Sequence, residues 1–175
     1  MAARLTIPAM YAALTAAGAA IAIPFPGTTV PFTLQVFFVL LTGALAGPAA
    51  GATSMIVYLA LGLAGMPVFS MMTAGPGILL GPTGGYLAAF PAAALVVGAI
   101  AGPRKGAGTV RTIVAMLLGV ALIHAAGISR LCWFTGKPLG SPAIAAVLPF
   151  IPLDAVKAVA AGIIASRARR LALPG

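Results

Sequence analysis

The apolar runs of this sequence are continuous, and all but the last stop at a break rich in glycine and proline. That pattern leaves few folds open. A membrane barrel alternates apolar and polar residues along every strand, which an unbroken run does not do. Inside a bilayer the backbone must pair its own polar groups, so an unbroken run has to be helical. Composition closes off the soluble alternative: 6% of the chain is charged, against about 25% in a soluble domain. So few charges cannot cover a water-facing surface. The expected fold is an all-α integral membrane protein. A spanning helix takes ~20 mostly apolar residues. Six transmembrane helices with short links therefore account for nearly all of the 175 residues. Residues 1–175 read as a single membrane domain with no room for a soluble catalytic module.

The breaks place the helices. The first is expected over 5–23, ending at Pro24-Phe25-Pro26-Gly27. The second covers 32–46 and the third 49–64, both short for full spans. A Gly/Pro-rich loop follows to about 81, then a fourth helix over 82–101 with Pro82 in its first turn. The fifth covers 110–134. Ser141 is the expected N-cap and Pro142 a first-turn residue of the sixth, which ends near 166. The N-terminus does not read as a cleaved signal, because its apolar run is long enough to span.

Cations set the orientation. With the N-terminus in the cytoplasm, the inner side holds Arg4, Arg104, Lys105, Arg111, Arg167, Arg169 and Arg170, and the outer side only Arg130 and Lys137. Both termini are then cytoplasmic, and the uncharged loops 24–31 and 66–81 face outward in a multi-pass plasma-membrane protein. The net charge of +9 reflects these topology signals. No dense basic run with interleaved aromatics suggests nucleic acid as a partner. Membrane lipid is the surrounding phase. Cys132 is the single cysteine, so no internal disulfide can form, and it reads as an inert buried thiol.

Asp154 and Lys157 carry the most information. They sit three apart on one helix face, well inside an apolar segment. A charge at membrane depth costs roughly 2.5–3.5 kcal/mol on insertion scales, so it faces a cavity or a partner. The pair is either a self-paired bridge that fixes packing or a ligand pair for a small polar or anionic solute. Pro149 and Pro152 free backbone carbonyls nearby. The glycine-rich stretch 75–86 is no nucleotide loop. It is a tight turn opening a helix or a lid over a ligand, with Thr83 and Tyr86 as hydroxyl donors. Met71 and Met72 give that loop an adaptable apolar surface. Gln35 serves a helix–helix hydrogen bond or a ligand contact. His124 has no second His, Cys or acid beside it, so no metal site is expected. Ala9, Ala13 and Ala17 form one small-residue face of the first helix, and Ala12, Ala16 and Ala20 another. Such a face is ordinary alanine-rich helix or a docking surface for another membrane subunit. One acid and one His build no catalytic constellation, so an enzyme is not expected. With no nucleotide motif, any energy source lies on another chain.

Four strings occur in order: Val30-Pro31-Phe32-Thr33-Leu34-Gln35, Met66-Pro67-Val68-Phe69, Gly81-Pro82-Thr83-Gly84-Gly85-Tyr86-Leu87, and the stretch from Leu148 through Pro149, Pro152 and Asp154 to Lys157. Together they resemble the BioY family, the biotin-binding S components of energy-coupling factor transporters. The resemblance implies a six-helix protein that captures biotin from outside. It also implies a transmembrane coupling T component and two ABC ATPases as partners, and no cofactor beyond the transported biotin. It further implies ligand binding by Asp154 and Lys157, and docking of the coupling protein on the small face of the first helix. Phe32, Tyr86, Met71 and Met72 are then the expected apolar wall around the biotin rings and chain. An S component for another vitamin, or a ligand-free assembly subunit, are the competing readings. Arg130 matches none of the strings. It is read as a snorkelling arginine, with the biotin carboxylate as its alternative partner.

Overall fold

The computed structural model describes residues 2–24, 30–103, 106–141, 144 and 147–172, with backbone alone at 2–5 and 172. Helix α1 spans Ala2–Ala20. Two short strands follow, β1 at Ala22–Ile23 and β2 at Phe32–Thr33, paired antiparallel with Ala22 opposite Thr33 and Ile23 opposite Phe32. Helices α2 (Gln35–Ala46) and α3 (Pro48–Leu63) come next. A 3₁₀ turn at Ser70–Met72 and a short helix α4 (Pro76–Leu80) make up the segment between α3 and α5. Helices α5 (Gly84–Ala101), α6 (Thr109–Thr135) and α7 (Phe150–Ala172) complete the chain.

Several expected bounds move, each for a local reason. The first helix stops at Ala20, not 23: Pro24 pushes the residue before it into extended backbone, which Ile23 accepts. The second starts at Gln35, because Phe32 and Thr33 are taken by the strand pair. Pro82 is not in the first turn of a helix; α5 begins at Gly84 after a turn through Thr83. Ser141 caps nothing: its hydroxyl oxygen is buried without a hydrogen-bond partner among the described residues. The last long helix starts at Phe150 and runs to Ala172, past the expected end at 166. Pro152 falls in its first turn, where a missing N–H costs nothing. Pro142, the inner-turn cations Arg104 and Lys105, the Arg4 side chain and part of the 24–31 loop lie outside the described residues.

Helices α5 and α6 are long and apolar enough to cross a membrane. The 12 residues of α2 rise only ~18 Å at 1.5 Å each, short of the ~30 Å hydrocarbon core. Gly47, at φ +84°, turns α2 directly into α3, whose first residue is Pro48. A left-handed residue followed by proline makes this break in one step.

Helix α5 lies at the centre, against α2, α3 and α6. Its inward face is Ala93, Ala94, Val97, Gly98 and Ala101, all small enough for close approach. A Cβ on Gly98 would sit 2.5 Å from the Gly47–Pro48 peptide, so the backbones touch here. The outward faces carry exposed Ile7, Met10, Leu14, Ile56, Leu95, Val114, Leu118, Val156 and Ile164. An apolar exterior this extensive, with small residues where α5 meets its neighbours, suits lipid as the solvent, not water.

Candidate ligand-binding cavity

The string around Pro149 and Pro152 makes a helix that begins one turn before a charge. Asp154 and Lys157 then share a face of α7, with Lys157 Nζ donating to Asp154 Oδ1 at 2.6 Å. Both are buried, at 6% and 7% exposure. The ammonium also donates to the Thr33 carbonyl of β2 at 2.5 Å. It lies 3.6 Å from the centroid of the Phe32 ring, a cation–π contact. The strand pair thus has a purpose: it delivers a carbonyl and an aromatic face to a buried cation. Phe32 stacks on Phe150 with centroids 6.4 Å apart.

The second oxygen of Asp154 is held from across the bundle. His124 on α6 places Nε2 2.9 Å from Asp154 Oδ2. His124 is in turn packed edge-on against Tyr86, with centroids 5.8 Å apart. Tyr86 owes its place to the glycines around it. Gly127 lies directly under its ring, and a Cβ there would overlap the ring atoms. Gly84 and Gly85 let the Leu79 and Ala126 carbonyls come up to the start of α5. The Gly-Gly-Tyr stretch is therefore a packing device that brings α4, α5 and α6 together beneath the tyrosine.

A polar chain runs along the opposite wall. Thr33 Oγ1 donates to Gln35 Oε1 at 2.9 Å, Gln35 Nε2 donates to Tyr58 OH at 2.5 Å, and Tyr58 OH donates to the Val68 carbonyl at 2.9 Å. Gln35 makes the helix–helix hydrogen bond and also lines the cavity. Phe69, fully buried over Gly62, anchors the segment between α3 and α5 next to it.

These elements line one cavity. The space open to the centre of a water-sized sphere is about 60 Å³, so the site is narrow in this state. Asp154, Lys157, Tyr86, Thr83, Gln35 and Phe32 all line it, with Val36, Leu87, Phe90 and Phe150 as apolar wall. Met72 does not line it: it is 60% exposed, and Ser70 of the same turn faces the cavity instead. Met71 is exposed as well.

Sequence reasoning missed His124 as a cavity residue, and missed Tyr58 and Ser70 altogether. For His124 a signal existed. A lone carboxylate buried in a helical bundle needs donors from elsewhere, and the chain has one histidine. Arg130 does not line the cavity. Its guanidinium donates to the Leu80 carbonyl and to Gly81 O at 3.4 Å, closing the end of α4, and lies 4.5 Å over the Trp133 ring. Cys132 is half-buried. On α1, Ala9, Ala13 and Ala17 are exposed while Ala12 is buried.

The fold and the sequence have known relatives. A crystal structure described as the S-component for biotin from an ECF-type ABC transporter superposes with a TM-score of 0.85 at 29% identity, covering 97% of this chain and 92% of that one. A probable biotin transporter BioY from Pyrococcus horikoshii is 42% identical, and the biotin transporter BioY of Thermotoga maritima 36%, each match covering 93% of both chains. The model of the BioY family matches residues 1–173. On these grounds the chain belongs to the BioY family.

Proposed function

We propose that this chain is the biotin-binding S component of an energy-coupling factor uptake transporter in the cell membrane. The observation that carries the reading is the buried Asp154–Lys157 pair in a cavity of mixed apolar and polar lining, in a chain of the BioY family. Biotin suits such a site. Its ureido ring offers two N–H donors and one carbonyl, and its sulfur ring and chain are apolar. Asp154 accepts from an N–H. Lys157 has three donors; two are engaged by Asp154 and Thr33, and the third remains for the ureido carbonyl. We assign ligand contact to Asp154, Lys157, Tyr86, Thr83, Gln35 and Phe32, with Ser70 in place of Met72 on the outer turn.

The topology we infer has six membrane helices, α1, α2, α3, α5, α6 and α7, in one membrane domain, α2 being too short to cross the hydrocarbon core by itself. Both termini are cytoplasmic in this topology, which the bias of the cations toward one side supports. The cavity then opens to the outer side. The exposed face Ala9, Ala13 and Ala17 is the docking surface for the coupling T component, which joins the chain to two ABC ATPases. Titration of the purified protein with biotin, in competition with other vitamins, tests the reading. Saturable biotin binding that other vitamins do not displace supports it, and no binding at micromolar biotin overturns it.

A further inference from the structure

A second cavity opens at the other end of α7, ~22 Å from Asp154 at 1.5 Å per residue. Pro103, Gly106, Ala107 and Gly108 line it from the turn before α6, and Ser166, Arg169 and Arg170 line it from α7. About 330 Å³ of it is open to the centre of a water-sized sphere, against about 60 Å³ in the first cavity.

This lining holds donors without acceptors. Asp154 is the only acidic side chain in the sequence, and Lys157 and His124 already hold its two oxygens. No carboxylate side chain is left for the arginines. Arg169 spends its terminal N–H groups on neutral oxygens, those of Ala44, Ala101, Ala107 and Thr112. The bond to the Ala107 carbonyl also fixes the turn. Arg170 is exposed and has no hydrogen-bond or ionic partner among the described residues. The backbone N–H groups of Gly106, Ala107 and Gly108 likewise meet no acceptor among the described residues. A free guanidinium and three free N–H groups around one hollow suit an oxygen-rich anion. Phosphate matches, because arginine pairs with it through two parallel bonds and successive main-chain N–H groups cradle it.

The rim points to the source of the phosphate. Leu171, next to Arg170, is 86% exposed, and Val110, two residues beyond Gly108, is 77% exposed. Bare apolar side chains beside a cation suit a ligand that has acyl chains below a charged headgroup. The end of a membrane helix is also where the headgroup layer lies. We propose that this cavity binds the phosphate headgroup of an anionic phospholipid. Arg170 and the N–H groups of residues 106–108 are the donors, and Arg169 is a positioning residue that holds the turn in shape. The site goes beyond the biotin reading and does not depend on it.

Native mass spectrometry of the full-length protein in detergent tests this, with bound lipid counted during titration. The probes are phosphatidylglycerol and phosphatidylcholine, which share the phosphate but differ in net charge. The wild type is expected to prefer phosphatidylglycerol by about fivefold or more, the worth of one cation near the membrane surface. Arg170→Gln should lose most of that preference. Arg167→Gln removes the same charge from an exposed position on the same helix but outside the cavity, and should keep it. Equal loss in the two variants would mean diffuse attraction and overturns the proposal. A wild type without the preference overturns it too, and leaves this end of the molecule to an acidic partner chain. Inorganic phosphate at the concentration of the lipid should not displace it; displacement would make the ligand a free anion and overturn the lipid assignment. Should Arg170→Gln not fold, Gly108→Leu takes its place. A Cβ at Gly108 meets nothing within 4 Å, so a larger side chain fits there and crowds the cavity with every charge kept. Loss of the preference in that variant supports the proposal, and its retention overturns it.

Discussion

Lys157 Nζ donates to the Thr33 carbonyl at 2.5 Å, across 124 residues of sequence, and so ties the last helix to the strand that precedes α2. The same ammonium holds Asp154 and faces the Phe32 ring. One side chain thus joins the two walls of the cavity, and its removal should be felt in both stability and binding.

Lys157→Ala leaves a buried carboxylate with only His124 beside it. Breaking a buried pair from one side costs roughly 3–5 kcal/mol, whereas removing both charges costs far less. Thermal unfolding in detergent should therefore rank Lys157→Ala below the double variant Asp154→Asn/Lys157→Met. Biotin affinity should fall in both. Equal stability of the two variants would show that the carboxylate does not depend on the ammonium.

Tyr58→Phe removes a hydroxyl that accepts from Gln35 and donates to the Val68 carbonyl. Leaving these buried partners unpaired should cost about 1–3 kcal/mol. Hydrogen exchange should quicken in the segment around Val68 and Phe69 more than in α6. An even change throughout the molecule would contradict this local role.

How much of this was legible depends on the range of the signal. Helices α5 and α6 fall within two residues of their expected bounds, because glycine and proline breaks bracket them. The strand pair was not legible: two residues show no alternation, and the pairing exists only because Pro24 ends one helix and β2 lies opposite. In the site, Asp154 and Lys157 were visible as neighbours on one helical face. Tyr58 was not, since its partner Gln35 lies 23 residues away, and His124 was legible only as the one histidine available to a buried carboxylate, its place 30 residues from Asp154 being set by packing of the bundle.

Gly127→Ala places a methyl group against the Tyr86 ring. Overpacking of this kind typically costs about 1–3 kcal/mol. Because Tyr86 lines the cavity, biotin affinity should fall together with stability. Calorimetric titration alongside thermal unfolding checks it, and unchanged affinity in a destabilised protein would remove Tyr86 from the binding set.

Arg169 works at the other end of the molecule. Its guanidinium donates to the Ala101 carbonyl, to Thr112 Oγ1 at 2.6 Å, to Ala107 O at 3.3 Å and to Ala44 O at 3.4 Å. It thereby satisfies carbonyls near the ends of α2 and α5 that have no helical partner of their own. Arg169→Ala should lower the unfolding temperature while biotin affinity stays near wild type. Arg169→Lys should rescue little, because a point charge cannot span the four acceptors. A large loss of affinity would mean that the two ends are coupled.

Native mass spectrometry of the protein purified from biotin-containing medium tests the central claim most directly. The account predicts a bound mass equal to one biotin on the wild type and its loss in Asp154→Asn. A wild type that carries no such mass, or an Asp154→Asn variant that retains it undiminished, would contradict the account.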